Sequence, residues 1–153
     1  MAQRLTPVTD VDHARSILIV DDDAGVRALL SDWIRVLGYH PYAADGADNA
    51  LDVLRARPIH VALVDIMMPG RDGIWLINEI QRSFGNTAII IATGLTVMDP
   101  AVTLSPGVIA YLVKPFDFES IGRSVEAAIA SQRFNALDFE PSLPRFPERS
   151  GLH

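Results

Sequence analysis

Four short runs of almost unbroken aliphatic residues limit what this chain can become: Ile17 to Val20, Val61 to Val64, Ala88 to Ala92 and Val108 to Val113. Each is too short for a buried helix, and the lack of polar alternation means that neither side faces water. Such runs are strands of a sheet covered on both faces, the habit of parallel sheets. The segments between them have helical periodicity. Val26, Leu29, Leu30, Trp33 and Leu37 form one stripe closed by Gly38. Ala47, Ala50, Leu51 and Leu54 form a second behind Asp45, the expected N-cap. Ile74, Ile77, Ile80 and Phe84 follow Asp72, and Phe118, Ile121, Val125, Ala128 and Ile129 follow Asp117. Tyr39 to Ala43 is a weaker strand, placed at a sheet edge because Pro41 has no N–H to give a ladder.

This alternation predicts an α/β fold, a doubly wound five-stranded parallel sheet with helices on both faces. One connection is abnormal. Between Gly94 and Gly107, Asp99 and Pro100 can start a helix but Pro106 stops it. The fourth helix is therefore expected to be short or disordered, and the stretch mostly loop and mobile. Residues 16–133 make the domain, residues 1–15 an N-terminal extension, and residues 134–153 a Pro-rich C-terminal tail expected to be disordered. A docking peptide anchored by Leu137, Phe139, Leu143 and Phe146 is the alternative for that tail. On this division no DNA-binding output domain is expected.

In doubly wound folds ligands meet the carboxyl ends of the strands. Asp21, Asp22 and Asp23 follow the first run, Asp65 the third, Thr93 the fourth and Lys114 the fifth. Singly, each is an ordinary turn or cap residue; gathered at one sheet edge, they point to a site. Carboxylates crowded without opposing charge repel one another, and a divalent cation removes the conflict. An all-oxygen set favours Mg2+. The Thr93 hydroxyl and Lys114 ammonium then suit the oxygens of a phosphoryl group on Asp65, so the implied chemistry is phosphoryl transfer to a carboxylate. Lys114 is the only lysine among 13 basic residues, which fits a site wanting a compact charge rather than a planar fork.

Composition narrows the partners. A net charge of −6 argues against nucleic acid, which needs a basic face. The absence of cysteine excludes disulfides, thiolate zinc sites and cysteine nucleophiles. No stretch reads as a signal peptide or a bilayer span, so a cytoplasmic protein without membrane insertion is expected. His13, His40, His60 and His153 share no ligand spacing.

ILIVDDDAGVR at 17–27, VALVDIMMPGRDG at 61–73, IIIATG at 89–94 and YLVKPF at 111–116 resemble, in order, the motifs of receiver domains of two-component response regulators. The resemblance is to the stand-alone type and covers residues 16–133. It implies a flavodoxin-like receiver fold in which Asp65 is the phosphoacceptor. Asp21 and Asp22 would be the acid pair, holding Mg2+ with Asp65 and the backbone carbonyl of Met67. Thr93 would be the switch hydroxyl, Tyr111 the aromatic that repacks with it, and Lys114 the phosphate partner, with a cis Lys114–Pro115 bond. Asp23 is left to cap the first helix. The implied partners are a sensor histidine kinase or a histidine phosphotransfer protein, and an unidentified downstream protein effector; a homodimer is compatible with the resemblance. The chain would be a signalling switch rather than an enzyme. Met67 and Leu95 lie, in receivers, near the path of the hydrolytic water, which two apolar side chains cannot orient, so a long-lived phosphoryl group is expected. The rival is a phosphatase resembling the haloacid dehalogenases, with Asp21 as nucleophile and Asp23 as acid/base. It has the Asp-x-Asp spacing but lacks the Gly-Thr or Gly-Val that should follow and a later acidic pair.

Overall fold

The computed structural model describes residues 15–95 and 98–132. The extensions expected at 1–15 and 134–153 lie, apart from Arg15, outside the described residues. The elements are β1 (Ser16–Val20), α1 (Ala24–Val36), β2 (His40–Ala44), α2 (Ala47–Ala56), β3 (Val61–Val64), α3 (Gly73–Ser83), β4 (Ala88–Thr93), α4 (Pro100–Thr103) and β5 (Val108–Val113). A further helix, α5, covers 118–132. The strands form one parallel sheet in the order β2-β1-β3-β4-β5.

The unbroken apolar runs are explained by two cores, one on each face. Successive side chains of a strand point to opposite faces. Leu18, Val20, Ala62, Val64, Ile89 and Ile91 pack under α2 and α3, against Leu51, Leu54, Leu76, Ile77 and Ile80. Ile17, Ile19, Val61, Leu63, Ala88 and Ile90 pack on the other face, against Leu30 and Ile34 of α1 and Ile121, Val125, Ala128 and Ile129 of α5. Burying each of the larger side chains contributes about 1.5–3 kcal/mol.

Several local expectations are corrected. Leu29 is 47% exposed, and Ile34 takes its place in the core, because the buried arc of α1 is centred on Leu30 and Ile34. Leu29 lies about 100° round the helix from Leu30. Asp45 is not the N-cap of α2; that position belongs to Gly46, which offers no side-chain bond, and the Asp45 carboxylate accepts from the Asn49 side chain. Strand β2 begins at His40, one residue later than the periodicity indicates, with Pro41 opposite Ile17 at the sheet edge as expected. Asp23 and Asp72 do cap α1 and α3, and Asp117 accepts the Ser120 amide at the start of α5. Helix α4 is a single turn capped by Asp99, and the Gln81 side chain of α3 binds Ser105 and the Pro106 carbonyl beyond it.

Two features of the sheet position the site. The connection from β1 to β2 and the one from β2 back to β3 run in opposite directions along the sheet, so β2 and β3 flank β1 and a crevice opens at the carboxyl ends of β1 and β3. In β5, Ile89 faces Val108 while Ile90 faces Ala110, leaving Ile109 as a bulge. The bulge brings Val113 opposite Thr93 and lets the Lys114 amide donate to the Thr93 carbonyl at 2.7 Å.

Candidate functional site

The ladder runs one residue past the strands. Asp21 donates its amide to the Ala44 carbonyl at 3.2 Å and Asp65 to the Val20 carbonyl at 2.9 Å, so both backbones are fixed where the crevice opens. Both side chains are buried while Asp22 is exposed, and the three offer carboxylate oxygens within 4.8 Å of one another. Lys114 Nζ lies 2.8 Å from Asp21 Oδ2 and 3.1 Å from Asp65 Oδ2. The remaining oxygens are engaged too: Asp21 Oδ1 accepts the Asp23 amide at 2.9 Å and Asp65 Oδ1 the Met67 amide at 3.0 Å. Each carboxylate is thus oriented by its own loop and by one shared cation.

The electrostatics are unbalanced. Burial pushes the Asp21 carboxyl above its usual range, outweighing the hydrogen bonds from Lys114 and from the Asp23 amide. Burial alone would lower Lys114, but its bonds to Asp21 and Asp65 prevail and raise it. Three carboxylates against one ammonium leave a surplus of negative charge, and their oxygens are hard donors; both properties suit a divalent cation such as Mg2+. The Met67 side chain is 58% exposed, and its peptide is held by the amide bond to Asp65.

Thr93 is the fully buried last residue of β4 rather than the residue after it, as the sequence indicates, and its Oγ1 faces the Leu95 amide at 3.4 Å. Tyr111, opposite Ile91, donates its hydroxyl to the Leu95 carbonyl. Thr93 and Tyr111 therefore meet the same residue, whereas the bonds of Lys114 go to the carboxylates. The Lys114–Pro115 bond is cis, as the resemblance implies.

Two contributors escape the sequence reading. Arg27, in the first turn of α1, donates from Nη1 to the Asp21 carbonyl at 2.8 Å. Gly73 donates its amide to the Ile66 carbonyl at 3.1 Å, and a Cβ there would stand 2.2 Å from the Asp65 carbonyl oxygen. The available signals were a basic residue in the turn after the aspartates and a glycine at a helix start, neither specific. Asp23 Oδ1 accepts the amides of Gly25 and Val26, the capping role left to it. No helix among the described residues is long and apolar enough to cross a membrane.

The model of the response regulator receiver domain matches residues 17–126. Transcriptional regulatory protein ZraR of Escherichia coli O157:H7 is 33% identical over 115 residues, which are 74% of this chain and 26% of ZraR. Probable transcriptional regulator ycf27 of Guillardia theta is 31% identical over 135 residues, 88% of this chain and 52% of that protein. The chain thus spans about a quarter to a half of these curated relatives. Among solved structures, response regulator protein TrrA from Thermotoga maritima in complex with Mg(2+)-BeF is 27% identical with a TM-score of 0.68; the match covers 74% of this chain and 98% of that one. The signal receiver domain of an HD domain-containing protein from Pseudomonas fluorescens Pf-5 is 25% identical with a TM-score of 0.74, covering 78% of this chain and 98% of that one. Sheet order, the crevice between β1 and β3 and the matched family agree: the chain belongs to the receiver domains of two-component response regulators.

Proposed function

We propose that this chain is a phosphoacceptor in a two-component or phosphorelay pathway, in which Asp65 takes a phosphoryl group from a phosphohistidine. The observation that carries this reading is the Lys114 ammonium placed between the buried carboxylates of Asp21 and Asp65, at 2.8 and 3.1 Å. The donor is a sensor histidine kinase or a histidine phosphotransfer protein. An Asp65 carboxylate oxygen forms the new P–O bond as the P–N bond breaks, and the imidazole leaves with the electron pair. Charge on the phosphoryl oxygens has two partners in this chain, the Lys114 ammonium and the Thr93 hydroxyl. Asp21, Asp22, Asp65 and the Met67 carbonyl would hold Mg2+, which when bound neutralises negative charge around the acceptor. That TrrA, a solved structure with the same fold, is in complex with Mg(2+)-BeF supports a Mg2+ site in this chain.

The readout follows from the same contacts. A phosphoryl group brings about −1.5 to −2 charges and three acceptor oxygens. Drawing Thr93 toward them disturbs its contact with the Leu95 amide, and the Leu95 carbonyl is the partner of Tyr111. The loop after β4 and the exposed edge of β5 therefore change together, and a downstream protein effector reads the change. The chain acts as a cytoplasmic switch without turnover of a small-molecule substrate, nucleic-acid binding or membrane insertion. Incubation with acetyl phosphate and Mg2+, followed by mass-spectrometric mapping of the modified aspartate, tests the reading. Label on Asp65, lost in Asp65→Asn and in EDTA, is the expected result; label on Asp21 would favour the hydrolase instead.

A further inference from the structure

The loop from Ile66 to Asp72 carries Met67, and its two limbs are held by different means. The inner limb is fastened to the core by the Met67 amide on Asp65, the Gly73 amide on the Ile66 carbonyl and the buried Met68 side chain. The outer limb, 69–72, is exposed, and among the described residues no bond between backbone groups involves 68–71. A cavity of about 330 Å³, lined by Asp45, Asp48, Asn49, Pro69 and Arg71 among others, separates this limb from the start of α2. The Arg71 side chain reaches across the gap. The Arg71 guanidinium lies 4.4 Å from the centroid of the Trp75 ring in α3, and its Nε is 3.6 Å from Asp48 Oδ1 in α2.

We infer that Arg71 is a positioning residue for the cation site: held against Trp75 and near Asp48, it ties down the outer limb of the loop that carries Met67, so that the loop is ordered before a cation binds. This rests on the metal site proposed above. A cation–π contact of this kind favours the planar guanidinium of arginine over the compact ammonium of lysine. Two effects of removing Arg71 have opposite signs. Coulomb's law says that deleting a positive charge near an acidic cluster tightens cation binding. A loosened limb must instead be ordered each time the cation binds, which weakens it.

The test is a Mg2+ titration of the full chain, followed through the amide NMR shifts of Asp65 and Met67, beside the Mg2+ dependence of acetyl phosphate labelling. Arg71→Ala is expected to raise the Mg2+ dissociation constant about three- to tenfold, as suits exposed contacts of this kind, with the labelling rate at saturating Mg2+ held within about twofold. Arg71→Lys should fall between the two. Trp75→Leu should shift affinity the same way and add little to Arg71→Ala, because both break one contact. Arg57→Ala is the matched control: Arg57 stacks on Tyr42 and binds its hydroxyl, outside this loop, and its loss should leave Mg2+ affinity unchanged. Unchanged or tighter Mg2+ binding by Arg71→Ala, in a series where the unsubstituted chain binds, overturns the clasp. If the unsubstituted chain shows no Mg2+-dependent shift at Asp65 or Met67, the metal site itself fails, and the clasp with it.

Discussion

Asp65 and Asp21 are legible in the sequence because a carboxylate directly after an unbroken apolar run has few places to be other than a strand end, and Lys114 gains weight as the only lysine. Gly73 is different. Its importance is the absence of an atom, since a Cβ would collide with the Asp65 carbonyl at 2.2 Å and the Ile66 Cα at 2.7 Å. No pattern in the chain announces such an approach. Gly73→Ala should therefore cost about 3 kcal/mol or more, within the range of strongly destabilising backbone clashes, seen as a lower urea midpoint. Arg27 was hidden likewise, because its partner is a backbone carbonyl, at Asp21. Met67 is largely exposed and Leu95 half-buried, and neither apolar side chain can orient a hydrolytic water. The double substitution Met67→Asn, Leu95→Glu should shorten the phosphoryl lifetime about tenfold or more, the scale of positioned acid–base assistance. Equal decay of the labelled proteins would sink that idea.

Among the elements, caps separate pattern from structure most cleanly. Asp23 and Asp45 look alike in sequence, each polar and just ahead of an apolar stripe, yet only Asp23 binds helix amides. Asp23→Ala should cost about 1 kcal/mol, a typical cap, whereas Asp45→Ala should fall within about 0.5 kcal/mol of neutral. Thermal melts of the two variants side by side decide it. Helix α4 shows the reverse case: Pro100 and Pro106 limit it to a turn by chemistry local enough to read directly. At the opposite end of the sheet from the aspartates, His60 joins several elements. Its Nδ1 accepts the Ser16 amide at 3.0 Å, and its carbonyl accepts from Ala88 at 2.9 Å and from the Gln132 side chain at 2.6 Å. Burial, then the charge of Arg15, lowers its pKa below the usual histidine value of 6.5. The unfolded chain therefore binds the proton more readily between the two values. This contribution to stability is complete above about pH 6.5 and is lost as pH falls through 6.5 toward the lowered folded value. His60→Gln should flatten the fall in urea midpoint over that window; an unaltered slope would reject the assignment.

For the molecule as a whole, a cation that binds only the folded chain must stabilise it by mass action. At Mg2+ one hundred times its dissociation constant the gain is about 2.7 kcal/mol. Thermal melts in Mg2+ and in EDTA should differ accordingly, and the difference should vanish in Asp21→Asn, which removes one of the three clustered carboxylates. Alternation of strands and helices was readable from the chain because it follows from two local periods, two residues for a strand and 3.6 for a helix. The identity of the residues at each strand end came with it. Which strand ends meet was decided only in three dimensions. The order β2-β1-β3-β4-β5 places Asp21 beside Asp65, and the bulge at Ile109 sets Lys114 one step past the Thr93 rung. Both depend on how the strands pair and how two cores fill at once, so the distances of 2.8 and 3.1 Å around Lys114 belong to the packed sheet rather than to any one segment.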